Sequence, residues 1–133
     1  GLEIPEEYVR EGVYHDPDRC AELTQELLKL EVPPTCILMP DDISSIGGGN
    51  AIRRMGLRLP GDVSAAGYDG IQLSSVMNPP LTTYRQDTQA LGKTAAAKLI
   101  ELIEKPRTAL VDRILIPGRL VEGASVQAIE PQE

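Results

Sequence analysis

Two carboxylates in this chain stand where a strand-and-helix protein does chemistry. Asp69 ends the run Val63-Ser64-Ala65-Ala66-Gly67-Tyr68, and Asp41 follows the apolar run Thr35-Cys36-Ile37-Leu38-Met39 after one proline. In open α/β sheets, ligands bind outside the carboxyl ends of the strands, so an acidic side chain there has more scope than one elsewhere. Spacing alone leaves two readings of Asp69: a ligand contact, or the first residue of an Asp-Gly turn with Gly70. Catalysis has little to draw on. No Ser/His/Asp or Cys/His set falls at comparable strand ends, and Asp41 with Asp69 forms a carboxylate pair only if the fold brings them together. The run Gly47-Gly48-Gly49-Asn50 has no following Lys-Ser/Thr and comes after a helix start instead of forming the turn into it, which argues against a phosphate loop. Each glycine in a helix costs about 1 kcal/mol relative to alanine, so close approach of a neighbouring helix or of a second subunit must offset them.

The elements that would position these residues alternate. Tyr8 to Tyr14 suits a short strand after an aperiodic lead-in, Gly1 to Glu7. Asp16 can cap a helix with Pro17 in its first position, and Cys20, Leu23, Leu27 and Leu30 recur at helical spacing before Pro33-Pro34. A strand at 35–39 leads to a second helix from about Ile43 to Met55, with Arg53 and Arg54 in its last turn and Gly56 beyond. Pro60-Gly61 turns the chain into the Asp69 strand. Asn78 to Gln86, with two prolines and Leu-Thr-Thr-Tyr, is extended. The third helix, Asp87 to Glu104, carries a wide apolar stripe of Leu91, Ala95, Leu99, Leu102 and Ile103 and stops at Pro106. Val111 to Ile116 and Leu120-Val121 suit two short strands, and 130–133 a disordered tail. The pattern predicts an α/β fold, a parallel sheet with helices on both faces.

The chain has 133 residues, enough for one ordinary domain. With no Phe and no Trp, its core must be aliphatic. A net charge of −7 repels phosphate backbones and anionic membranes, so nucleic acid is not expected to touch this segment. No run approaches the roughly 18 apolar residues of a membrane span, nor is there a signal-peptide pattern. A cytoplasmic setting follows, although Gly1 in place of an initiator Met fits an excised or processed piece. Cys20 and Cys36, each within an apolar pattern and far apart, read as buried thiols; with a single histidine, no metal site is expected and no cofactor is implied.

Several motifs in fixed order give a sharper expectation. Pro60-x-Asp62-Val63-Ser64-x-x-Gly67-Tyr68-Asp69, then Pro79-Pro80-Leu81-Thr82-Thr83-x-Arg85-Gln86, then Leu91-Gly92 and Ala95-Ala96, resemble the effector-binding domain of the lactose/galactose repressor family of bacterial transcription regulators, over roughly Tyr8 to Val126. The resemblance implies a periplasmic-binding-protein-like plan in which two α/β subdomains close on a small ligand. It implies further that this chain is the carboxyl-terminal portion: residues 1–86 in the carboxyl-terminal subdomain, 87–107 a crossover helix that would pack in the other subdomain, and 108–133 return strands and tail.

By the same resemblance, Asp69 matches an acidic residue that accepts hydrogen bonds from sugar hydroxyls, and Gln86 matches a polar crossover residue facing the cleft. Asp41 stands where the family usually has Asn, so an acceptor-only carboxylate replaces an amide and favours a donor-rich or cationic ligand. Tyr14 or His15 lies near a position where an aromatic stacks on the ligand; a loop histidine preceding a helix cap is the alternative for His15. Gly47, Gly48 and Gly49 fall on a helix matching one that pairs in family dimers. The implied function is a sensor of a small molecule, a sugar or relative, acting as a homodimer and touching DNA only through a headpiece outside this chain. A solute receptor for transport would share the fold but need a signal peptide.

Overall fold

The computed structural model describes residues 3–108 and 113–128. Helices α1 (Pro17–Leu28), α2 (Asp42–Arg54) and α3 (Thr88–Glu104) alternate with strands β1 (Cys36–Leu38), β2 (Ser64–Asp69), β3 (Thr82–Arg85) and β4 (Arg119–Val121). The strands form one sheet in the order β1-β2-β3-β4. The first three are parallel, with Ile37 opposite Ala65 and Gly67 opposite Thr83, and β4 runs antiparallel to β3. The α/β class expected from alternation is the one observed.

Capping sets the helix starts. Asp16, Asp41 and Asp87 each accept a backbone N–H three residues on, from Arg19, Ser44 and Ala90, and so satisfy donors that the first turn leaves open. Helices α1 and α2 pack on each other and on one face of the sheet. Cys20, Leu27 and Leu28 of α1, Ile52 of α2, Ile37 and Met39, and Val63 and Ala65 form the core. Fully burying a side chain of this size contributes about 1.5–3 kcal/mol, so the aliphatic core suffices without large aromatics.

Two of the glycines of α2 face close neighbours within the chain. A Cβ on Gly47 would collide with the backbone carbonyl of Pro17, and one on Gly48 with the Met39 side chain, while Gly49 is buried near Leu59. Close approach of α1 at Gly47, and of Met39 at Gly48, accounts for those two glycines, while Gly49 meets only ordinary contacts.

Other expectations are corrected. Tyr8 to Tyr14 is not a strand: a short 3-10 turn, Glu6–Tyr8, leads into irregular chain. That stretch is held alongside α1 by Tyr8 Oη donating to the Val32 carbonyl and by the Arg10–Glu26 ion pair. Cys20 is buried as expected, but Cys36 is exposed. Its strand alternates: Ile37 points at the helices, whereas Cys36 and Leu38 point to the other face. That second face, with Leu38, Leu120 and the stacked rings of Tyr68 and Tyr84, is open to solvent. Residues 113–116 form no strand, and Val111 lies outside the described residues, as do Gly1, Leu2 and the tail at 130–133.

Helix α3 has no buried residue. Leu99, Ile100 and Ile103 are open to solvent. The segment before it is less free than its prolines suggest, because Thr82 to Arg85 is β3, paired on both sides. After β4 the chain returns along the sheet: buried Ser125 donates its hydroxyl to the Ala65 carbonyl and accepts the Thr82 N–H.

Candidate functional site

Three parallel strands deliver polar residues to one edge. Asp41 follows β1, Asp69 is the last residue of β2, and Gln86 follows β3. Asp69 has φ 106° and Gly70 φ 67°. Aspartate tolerates positive φ better than most residues, and a Cβ at position 70 would strike Arg85, so Asp-Gly is what this tip requires. The two readings of Asp69 are thus compatible, since the turn is what aims the carboxylate.

Gln86 donates its side-chain N–H to Asp69 Oδ1 over 2.6 Å, and its backbone N–H to the Asp69 carbonyl over 3.2 Å. His15 approaches from the loop before α1, with Nε2 4.0 Å from Asp69 Oδ2. Tyr14 meets the His15 ring edge-on at 5.8 Å between centroids. The His15 side chain is 58% exposed and that of Asp69 21%, so both can be reached from solvent. All five predicted residues, Tyr14, His15, Asp41, Asp69 and Gln86, join one contact chain at this edge.

Asp41 is engaged by donors from within the chain. It is 0% exposed. Oδ1 accepts the Ser44 N–H at 2.7 Å, and Oδ2 accepts the Ser44 hydroxyl at 2.7 Å and the His15 N–H at 3.0 Å. Burial pushes its carboxyl pKa up, but the bonds from the Ser44 and His15 amides and the Ser44 hydroxyl outweigh that and hold it below the usual value. Asp41 caps α2 and anchors the His15 backbone, which has φ 56°.

Sequence reading missed two residues. Arg85 donates Nε–H to the Gly70 carbonyl at 2.9 Å, bracing the tip. Asp42 is buried with two partners of its own, Thr83 and Ile71. The signal was the doublet Asp41-Asp42: one carboxylate can cap the helix, and a second one buried beside it needs other donors. A shallow cavity of about 460 Å³ lies between β3 and α3, with Gln86, Arg85 and Arg119 in its wall. A second, of about 480 Å³, opens near Thr35 and Ser64, at the amino ends of β1 and β2. Strand polarity favours the carboxyl edge as the binding edge. Among the described residues, no three His, Cys, Asp or Glu side chains are grouped to hold a metal ion.

The sequence matches the periplasmic binding protein-like domain over residues 1–126. The chain belongs to that family. Its relatives within the periplasmic binding protein-like domain family include the HTH-type transcriptional repressor PurR of Pasteurella multocida, 36% identical over 105 residues, covering 79% of this chain and 31% of the repressor. Among solved structures, a putative transcriptional regulator LacI from Bacillus cereus subsp. cytotoxis superposes with a TM-score of 0.90 at 27% identity, covering 97% of this chain and 45% of that one. A complex of the transcriptional regulator CelR with cellobiose superposes at 0.85 with 26% identity, covering 94% and 38%. The resemblance to the lactose/galactose repressor family holds. This chain spans about a third of the length of the curated relatives it matches.

Proposed function

We propose that this chain is the effector-sensing part of a LacI-type transcription regulator, and that Asp69 and Gln86 contact the effector, with Tyr14 and His15 at the rim. The observation that carries the reading is the hydrogen-bonded Asp69–Gln86 pair at the carboxyl edge of three parallel strands, reachable from solvent. A carboxylate locked to an amide keeps its remaining lone pairs aimed outward, which suits adjacent hydroxyls of a sugar-like molecule. Asp41 acts on the site through His15, so its carboxylate gives no reason to require a cationic ligand.

Residues 1–86 form one wall of the cleft. Residues 87–107 belong with a partner subdomain, a division supported by the unburied α3. DNA is touched by another part of the regulator, since a charge of −7 opposes contact with phosphates here. The regulator works in the cytoplasm as a homodimer, without enzymatic activity; no described helix of this chain is long and apolar enough to cross a bilayer. Effector binding shifts the relation of two subdomains and with it the spacing of the DNA-binding heads.

The test is a thermal-shift screen of the intact gene product with cellobiose, lactose, free hexoses and nucleosides, followed by calorimetry on any hit. A hit whose affinity falls in Asp69→Ala supports the reading. A hit indifferent to both Asp69 and Gln86 overturns the site.

A further inference from the structure

Asp42 follows the α2 cap directly and is 1% exposed. Its Oδ1 accepts the Thr83 hydroxyl at 2.6 Å and its Oδ2 accepts the Ile71 N–H at 2.9 Å. Those two donors come from the chain segments that matter to the site. Thr83 lies in β3, three residues before Gln86, and is itself 0% exposed. Ile71 is two residues after Asp69.

We propose that Asp42 is a positioning residue, a clip that fixes the Asp69 tip and the Gln86 end of β3 to the start of α2 and so sets the geometry of the effector contacts. The inference rests on the reading of Asp69 and Gln86 given above. Three observations carry it. Asp69 has φ 106° beside Gly70, a conformation that a non-glycine residue keeps only when its surroundings hold it. The first backbone donor after that tip is the one Asp42 takes. Room for the carboxylate is made at Gly67, where a Cβ would press on Asp42 Oδ1 and on the Leu81 side chain.

A neutral or apolar residue would fill this space without the desolvation cost that a buried carboxylate carries. What the charge adds is strength and direction, since hydrogen bonds to an ionised acceptor are about twice as strong as neutral ones. The same carboxylate sits in the first turn of α2, where the helix dipole favours it. Asp42 touches no ligand in this scheme; it acts through Asp69 and Gln86.

The experiment needs a readout that overall stability does not move and that requires no effector. The Gln86 side-chain amide protons provide one, because one of them is held by Asp69. In the intact gene product, followed by nitrogen-resolved NMR, Asp42→Ala and Thr83→Val should speed solvent exchange of those protons by about tenfold or more, the loss expected for a bond to a charged group. Amide protection in α1 should stay unchanged. Thr83→Ser, which keeps the hydroxyl, should restore slow exchange. Should Asp42→Ala fail to fold, the Thr83 pair decides alone. Gln86 protons as slow in Thr83→Val as in the parent, or Thr83→Ser behaving like Thr83→Val, would overturn the clip. The effector reading is scored separately by calorimetry with the sugar or nucleoside that the screen above returns: affinity unchanged in both Asp69→Ala and Gln86→Ala sinks that reading while the ligand-free Gln86 result still stands.

Discussion

Gln86 holds Asp69 twice, its side-chain N–H donating to the carboxylate at 2.6 Å and its backbone N–H to the main-chain carbonyl at 3.2 Å, so the ends of two neighbouring strands are joined at one residue. Truncating either residue in the intact gene product should weaken effector binding by about 1–3 kcal/mol, the cost of a buried or charged hydrogen-bond partner left alone. Because they share a bond, the two effects should be less than additive in Asp69→Ala/Gln86→Ala. Calorimetry on the two single variants and the double variant measures both points, and full additivity would mean that the pair does not act as a unit.

Stability should fall on the acid side in a defined window. Asp41 is held below its ordinary pKa, and Asp62 is lowered to about 2 by the side-chain and backbone donors of Arg58. A depressed pKa means that the folded chain binds fewer protons than the unfolded one. The stability contributed by each group is therefore complete above the unfolded value of about 3.9 and is lost as pH falls through the folded value. Asp41→Ala also removes a helix cap, at about 1–2 kcal/mol at neutral pH, and should flatten the acid limb. Urea midpoints at intervals from pH 6 to pH 3 would show it; parallel acid limbs for parent and Asp41→Ala would refute the assignment.

Two glycines should respond in opposite directions. Gly47→Ala meets the Pro17 carbonyl and should destabilise by about 1–3 kcal/mol through overpacking. Gly92, on exposed α3 with open space around it, should gain about 1 kcal/mol of helix stability as alanine. Chemical denaturation of the 133-residue chain, read by circular dichroism, separates the two; stabilisation by Gly47→Ala would contradict the observed α1–α2 contact.

The fate of α3 is testable on the chain by itself. With Leu91, Leu99, Ile100 and Ile103 exposed and no residue buried, it presents an apolar stripe that soluble monomers rarely keep open. We expect concentration-dependent association, with α3 of one copy packing on another by rotation about Gln86-Asp87. Light scattering after gel filtration should show dimers at high concentration, and limited proteolysis should spare Gln86-Asp87. A monomer at every concentration would remove the idea.

Local signals made much of this fold legible. Asp16, Pro17 and Asp41 at helix starts, Gly56 at a helix end and the apolar runs of β1 and β2 each announced an element from within a few residues. Asp69 and Gln86 were legible because strand ends are positions a sequence can mark. What failed depends on contacts between distant segments. Tyr8 to Tyr14 has strand-like residues but is held to Val32 and Glu26 instead of pairing in the sheet, and Cys36 is exposed because it lies on the open face of β1. Asp41 also accepts the His15 N–H, 26 positions away, a contact that no spacing rule reaches.

The packing of Pro17 on Gly47 reaches beyond stability. Pro17 lies two residues from His15, and His15 is pinned to Asp41 at the head of the same helix that carries Gly47. A side chain at 47 would lift the first turn of α1 and carry His15 and Tyr14 with it, changing the mouth of the site from beneath. A search for altered effector preference that randomises only the groups facing solvent would pass over this position. A library that admits alanine and serine at 47 would sample new mouths while leaving Asp69 and Gln86 untouched.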